Sequence, residues 1–335
     1  MHPAFQAILT ILVGVGGCVG YFYFSNQFLD KVLFPGRGPN AGRNITRANM
    51  IRPWLFLMPA LLALGVYLAY PVVETLRLSL TERLPGNQSQ FVGLANYQQM
   101  FDEPKFWEAM KNNMLWLLVV PALSTVFGLL AAQLSDRVRW GNLAKSLIFM
   151  PMAISFVGAA VIWKLVYDAR PVDQDQIGVL NALYMFFGGT EPKNWLTMIG
   201  PNNFFLMIVL VWIQTGFAMV ILSAALRGIP EETVEAAIVD GANPFQVFFK
   251  IKVPQIMGTI VVVWTTITIV VLKVFDIVFA MTNGQWETQV LANYMYDKLF
   301  RANDWGVGSA SAMIIMLLVS PILVWNVYNA RKEMK

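Results

Sequence analysis

Seven stretches of this sequence run for at least 17 residues without a single charged side chain: 8–24, 54–73, 112–134, 146–163, 194–226, 255–272 and 305–330. A helix needs about 20 mostly apolar residues to cross the hydrocarbon layer of a bilayer. The fifth stretch exceeds one crossing, and its helix is placed at 205–226. Within lipid every backbone polar group must be satisfied internally, so spans of this kind are helices. The expected fold class is therefore an all-α integral membrane protein with seven spans. Composition agrees. Of 335 residues 57% are hydrophobic and 13% charged, against roughly 25% charged in soluble domains. The first stretch reads as a retained helix rather than a signal peptide, because "MHPAFQAI" has no basic start and no small-residue cleavage pattern follows.

Lysine and arginine positions set the orientation. With the N-terminus outside, the inner segments hold fourteen: Lys31, Arg37, Arg43, Arg47 and Arg52; Arg137, Arg139 and Lys145; Arg227, Lys250 and Lys252; Arg331, Lys332 and Lys335. The longer outer segments hold nine: Arg77, Arg83, Lys105, Lys111, Lys164, Arg170, Lys193, Lys298 and Arg301. The positive-inside rule gives N-out, C-in. The net charge of +4 follows this bias and points to no nucleic acid. The first helix stands apart from the other six behind the basic linker "FPGRGPNAGRNITRANMIRP", so the chain divides into 1–52 and 53–335.

Several chemistries are excluded. One histidine, His2, and one cysteine, Cys18, leave no His-based triad, no multi-His metal site and no internal disulfide. Cys18 sits in an apolar run as a packed or lipid-facing thiol. Asp168, Asp173, Asp175 and Glu191 lie in one outer loop without the glycine and distal glutamate of a calcium loop, and read as solvated. No phosphate-binding G-x-x-x-x-G-K-[ST] occurs, so energy for uphill work must come from a partner or a coupled ion.

Among the outer loops, Glu103-Pro104 starts a helix whose Phe106, Trp107 and Met110 are expected at the membrane interface. Asn283-Gly284 marks a turn, and 290–300, with Leu291, Tyr294, Met295, Lys298 and Leu299 at helical spacing, reads as a short interfacial helix.

The inner stretch "EAAIVDGANPFQVFFKIKVP", residues 235–254, is the most informative. Pro230 suits a first helical position, and Glu231 and Glu232 suit the positive helix start. Val234, Ala237, Ile238 and Gly241 recur at helical spacing. Gly241 or Asn243 is suited to a left-handed helix end. Asn243 then caps a second helix beginning at Pro244, with Phe245, Phe248 and Phe249 on one side and Lys250 and Lys252 near its end. Pro254 leads into the next span. Ala236 and Ala237 leave room for another surface to approach, and Glu235 offers a charge to an arginine or lysine there.

This stretch resembles the EAA loop of ABC-importer permeases, whose pattern is E-A-A-x-x-x-G followed about a dozen residues later by Leu-Pro or similar; Glu235, Ala236, Ala237, Asp240, Gly241 and Val253-Pro254 carry the match. "FVGLANYQQMFDEPKFWEAMKNN" and "VFDIVFAMTNG" resemble the sugar-permease branch with MalF-like and glycerol-phosphate permeases, and the first helix with "GPNAGRN" resembles its α-glucoside group. The resemblance implies a six-helix type I permease core plus one extra N-terminal helix in a bacterial inner membrane. It implies a second homologous permease, two cytoplasmic ATPase copies that hold ATP and Mg, and a periplasmic solute-binding protein delivering sugar. The chain itself is then no enzyme and carries no cofactor. Loop 227–254 would act as the coupling element in a cleft of the ATPase.

By similarity to the maltose permease, sugar-path positions are Leu210, Gln214, Phe217, Ile267, Val270, Val271 and Val274. Several corresponding family residues are polar where this chain has isoleucine or valine. Lys273 and Asp276 are costly charges near a span, spaced to pair at i, i+3 or to line the path. Two rivals remain: an ion-coupled secondary sugar transporter using Lys273 and Asp276, and a non-transporting membrane scaffold with a docking hairpin.

Overall fold

The computed structural model describes residues 3–84, 88–136 and 138–333; His2, Arg137 and Lys335 lie outside them. The chain divides into two compact units, Met1–Glu74 and Thr75–Lys335.

The first unit is a helical hairpin. Helix α1 (Pro3–Phe28) ends in a π turn, Leu29–Leu33, and α2 (Ala41–Leu64) returns along it. Phe22 meets Phe56 with ring centroids 5.4 Å apart, and the Tyr21 hydroxyl donates to the Leu55 carbonyl at 2.8 Å. Cys18 is exposed. The apolar windows of both helices are unburied, as expected of surfaces meeting lipid chains. The second span continues past a π turn into α3 (Tyr70–Ser79).

In the second unit a two-stranded hairpin, β1 (Thr81–Leu84) and β2 (Gln88–Phe91), pairs Thr81 with Phe91. It leads through α4 (Ala95–Asp102) to the 32-residue α5 (Pro104–Ser135), which opens with Pro104 at its first position. The fourth expected span is not straight. It is α6 (Gly141–Phe149) and α7 (Phe156–Val166), bent by 107°. Pro151 interrupts the ladder, and the Ser155 hydroxyl restarts it by accepting from the Gly158 N–H at 3.1 Å. After α8 (Val179–Phe186) comes α9 (Pro201–Arg227), the most buried span. The remaining helices are α10 (Glu231–Val239), α11 (Pro244–Gln246), α12 (Val253–Gln255), α13 (Met257–Leu272), α14 (Asp276–Met281), α15 (Leu291–Tyr296) and α16 (Trp305–Glu333).

The main core lies where α5, α7, α9 and α13 meet, around Trp116, Leu206, Met219, Leu222 and Val263. A second cluster on the outer side joins Met100, Phe106, Tyr294 and Val307. Two interface expectations are corrected here. Phe106 is fully buried against Tyr294, centroids 5.9 Å apart, and only Trp107 faces outward. In α15, Leu291 and Tyr294 turn into this cluster instead of facing outward. Burial raises the Tyr294 pKa well above the usual phenol range, and Glu103, which accepts a hydrogen bond from its hydroxyl at 2.8 Å, raises it further. The phenol stays a donor and ties the start of α5 to α15.

Between these elements, residues 283–290 form a strained loop. Trp286 and Glu287 have φ of 54° and 60°, a region costly to such side chains, while Asn283, at 54°, is of a residue type that tolerates it. Four buried asparagines hold the loop. Asn112 donates to the carbonyls of Glu287 and Gln289 at 2.9 and 2.8 Å, Asn202 to that of Trp286 at 2.6 Å, and Asn203 to that of Glu287 at 3.1 Å. Asn113 accepts from the Leu291 N–H at 2.8 Å. Each pairing satisfies a backbone group that burial would otherwise leave alone.

Candidate functional site

On the inner side, α9 ends at Arg227 with the Gly228 N–H closing on the carbonyls of Ala224 and Ala225. Pro230 is the residue before α10 rather than its first helical position, one place from the expectation. Its ψ of 131° turns the chain away from the α9 axis. Glu231 and Glu232 occupy the first turn of α10, where their charge suits the helix dipole.

The end of α10 follows directly from its sequence. Gly241 has φ +83°. The Ala242 N–H reaches the Ala237 carbonyl and the Gly241 N–H the Ile238 carbonyl, both at 3.0 Å, which is the Schellman arrangement. Two residues later Asn243 and Gln246 form a reciprocal capping box, each side chain accepting the other's backbone N–H at 2.9 Å. Pro244 opens α11. A π segment, Val247–Lys252, carries the helix on to Gln255, with Lys250 and Lys252 in its last turn. The chain then bends by 71° into α13. Pro254 lies inside α12, two residues before the bend.

The result is a two-helix knob stiffened at its corner by four backbone and side-chain hydrogen bonds. Glu235, Ala236 and Asp240 are exposed, and Ala237 lies beneath them. Ile238 is 59% and Val239 86% exposed, an apolar tip on a segment assigned to water. Such exposed apolar side chains are available to a partner surface. Beside it lies a groove of about 530 Å³ into which Arg227, Glu231, Glu235 and Lys252 face. The surface therefore presents a carboxylate, small residues for close approach and an apolar contact.

Behind the knob the inner ends of three helices are tied by four side chains that the sequence reading missed. Asp136, just past α5, binds Lys145 of α6, and its carboxylate lies 3.6 Å from Arg227 Nε of α9. Ser223 of α9 accepts from Lys145 Nζ at 2.7 Å and from Arg227 at 3.1 Å. The Lys145 side chain is 15% exposed. Asp136→Ala leaves this half-buried cation and Arg227 without their carboxylate, an expected cost of about 1–3 kcal/mol. Thermal unfolding of the purified assembly measures it. A double-mutant cycle with Lys145→Met should show strong coupling, and additive losses would mean that the pair contributes nothing.

Most of the sugar-path positions lie in or against the main core. Leu210, Ile267, Val271 and Val274 are buried in the main core, Phe217 and Val270 pack against it, and Gln214 is 7% exposed. The expected Lys273–Asp276 contact is absent among the described residues. Helix α13 ends at Leu272, with Lys273 just past it, and α14 starts at Asp276, so helical i, i+3 spacing does not apply across the break. Lys273 is exposed and Asp276 half-buried. In the outer loop, Asp168 is engaged by Arg170 at 3.4 Å.

Residues 124–332 match the family described as "Binding-protein-dependent transport system inner membrane component". Along 337 aligned residues, 99% of each chain, the sequence is 62% identical to the alpha-glucoside transport system permease protein AglF of Rhizobium meliloti (strain 1021). It is 46% identical over 281 residues, 84% of this chain and 99% of the relative, to the osmoprotective compounds uptake permease protein GgtC of Synechocystis. Among solved structures, a subunit of a bacterial ABC transporter that imports the acidic polysaccharide alginate aligns with a TM-score of 0.72 at 20% identity, over 88% of this chain and 99% of that one.

Proposed function

This chain belongs to the family of binding-protein-dependent transport system inner membrane components, and we propose that it is the permease subunit of an ABC importer for carbohydrate, with α-glucosides as the substrate class. Identity of 62% across nearly the whole of an α-glucoside permease carries the substrate reading. Relatives named for trehalose/maltose and for lactose support the broader sugar class. In this reading the chain lies in a bacterial inner membrane, spans it N-out and C-in, and residues 53–335 form the permease domain. It pairs with a second homologous permease and receives sugar from a periplasmic solute-binding protein.

ATP and Mg belong to two cytoplasmic ATPase subunits. The knob at 227–254 is the mechanical link to them: Glu235 meets a cation of the ATPase, Ala236 and Ala237 admit its surface, and Gly241 fixes the turn. Closure of the ATPases pushes the knob, and its stiff corner passes the displacement into α9 and α13. Those two helices carry Leu210, Gln214, Phe217, Ile267, Val270, Val271 and Val274. Most of these positions are buried in the packed core of this chain, which supports a sugar path that opens between this subunit and its partner permease.

Transport by the assembled complex in proteoliposomes tests the reading. Uptake of maltose, sucrose or trehalose should require ATP on the ATPase side and the cognate binding protein, and should persist when a protonophore collapses the proton gradient. Uptake that ignores ATP and follows the gradient would return Lys273 and Asp276 to the centre of the mechanism. Binding assays on the cognate solute-binding protein identify the sugar.

A further inference from the structure

The first unit contains a cavity lined by none of the sugar-path positions. At the turn of the α1–α2 hairpin a recess of about 760 Å³ is bordered by Lys31, Arg37 and Arg52 and by a single carboxylate, Asp30. Its size falls within the range of about 300–1,000 Å³ typical of small-ligand sites. Asp30 is already engaged, accepting from Arg52 at 2.6 Å, and the same guanidinium donates to the Asn49 side chain at 3.1 Å. These two bonds fix Arg52 in place. Its Nε is nevertheless buried without any acceptor, which is unusual for a donor hidden from water. Lys31 and Arg37 stand exposed at the rim. The recess thus has a surplus of positive charge, a fixed guanidinium and an unused donor.

Its surroundings identify the ligand chemistry. The apolar windows of both helices of the hairpin are unburied, so lipid chains surround them up to the turn. The lysine and arginine distribution puts that turn on the cytoplasmic side, where the leaflet is anionic and basic pockets bind lipid headgroups. A guanidinium fork fits phosphate oxygens in a way that an ammonium does not. We propose that this recess binds the phosphate headgroup of an anionic phospholipid, with Arg52 and Arg37 on the phosphate oxygens and Lys31 at its edge. The inference rests on membrane orientation and not on the sugar reading.

Native mass spectrometry of the delipidated full-length assembly, titrated with phosphatidylglycerol or phosphatidylcholine, tests it. Lys31→Gln/Arg37→Gln leaves the Asp30–Arg52 pair intact. At about fivefold per cation removed, it should weaken phosphatidylglycerol binding by about 25-fold and leave phosphatidylcholine unaffected. Arg43→Gln/Arg47→Gln removes the same charge from the first turns of α2, outside the recess, and should cost less than about twofold. Should the first variant fail to assemble, Arg37→Gln alone carries the comparison at about fivefold. Equal losses in both double variants would reduce the effect to diffuse surface charge. An unchanged affinity in Lys31→Gln/Arg37→Gln, or displacement of phosphatidylglycerol by excess inorganic phosphate, would overturn the lipid site.

Discussion

Glu235→Lys should abolish sugar-stimulated ATP hydrolysis by the reconstituted complex while the permease itself still folds and inserts. Glu235 is exposed in the middle of α10 and makes no ion pair among the described residues, so its reversal breaks nothing inside the chain. Against a cation on the docked ATPase the change removes an attraction and adds a repulsion. Losing one partner of a buried interfacial charge pair costs about 2–5 kcal/mol, at least about a 30-fold weakening of the subunit contact. The ATPase should no longer co-purify. Gly241 sharpens the test, because its two possible roles separate. A Cβ there would meet no atom within 4 Å, so any damage from a side chain inside the chain is conformational, about 1–2 kcal/mol for an ordinary residue at positive φ. Asparagine tolerates that region. Gly241→Asn should keep the knob folded and coupled if the glycine serves the turn alone, and should lose coupling if the ATPase packs against bare backbone. Unchanged sugar-stimulated hydrolysis in Glu235→Lys would remove the docking assignment altogether.

That knob was almost fully legible in the sequence because its shape is decided locally. Gly241, Asn243, Pro244 and Gln246 fix the corner through contacts no more than five residues apart, and such contacts leave a mark in any linear reading. The spans were legible for a similar reason, since burial in lipid depends on composition alone. What composition could not reveal was a break within an apolar run. Pro151 was visible in the stretch 146–163, yet only the packing of α7 against α9 and α14 decides that the chain bends there by 107° instead of kinking slightly. Long-range pairings were hidden more deeply. Phe106 meets Tyr294 across nearly two hundred residues, and Asp136 reaches Ser223 and Arg227. One signal was available and unused: the doublets Asn112-Asn113 and Asn202-Asn203 stand at the outer ends of two apolar runs, where a hydration-poor position demands partners for four amides. Lys273 and Asp276 failed in the opposite direction, because their spacing suggested a pair only on the assumption of an unbroken helix.

A close helix crossing in the second unit, between α5 and α9, sets the other large effect. A Cβ added at Gly128 of α5 would lie 2.4 Å from the Ala218 Cβ of α9 and 2.9 Å from the Met219 backbone nitrogen. Helices in lipid gain little from apolar burial against each other, and small residues let their backbones approach closely enough for dispersion to hold them. Gly128→Ala should therefore cost about 1–3 kcal/mol, and Gly128→Leu more. The leucine forces α5 off α9 and carries Asp136 away from Ser223 and Arg227 at the inner end, so stability and coupling should fall together. Ala218→Gly should rescue Gly128→Ala only in part: it removes the Cβ contact, but the Ala218 carbonyl carbon at 3.0 Å and the Met219 nitrogen are backbone and cannot yield. Gly65→Ala is the matched control, since a Cβ there meets nothing within 4 Å and the helix gains propensity. Thermal unfolding of the purified assembly, followed with uptake in proteoliposomes, reads all four variants. A Gly128→Leu protein as thermostable as its parent would show that α5 and α9 can separate freely, and the clamp at Asp136 could then have no part in transmitting motion from the knob.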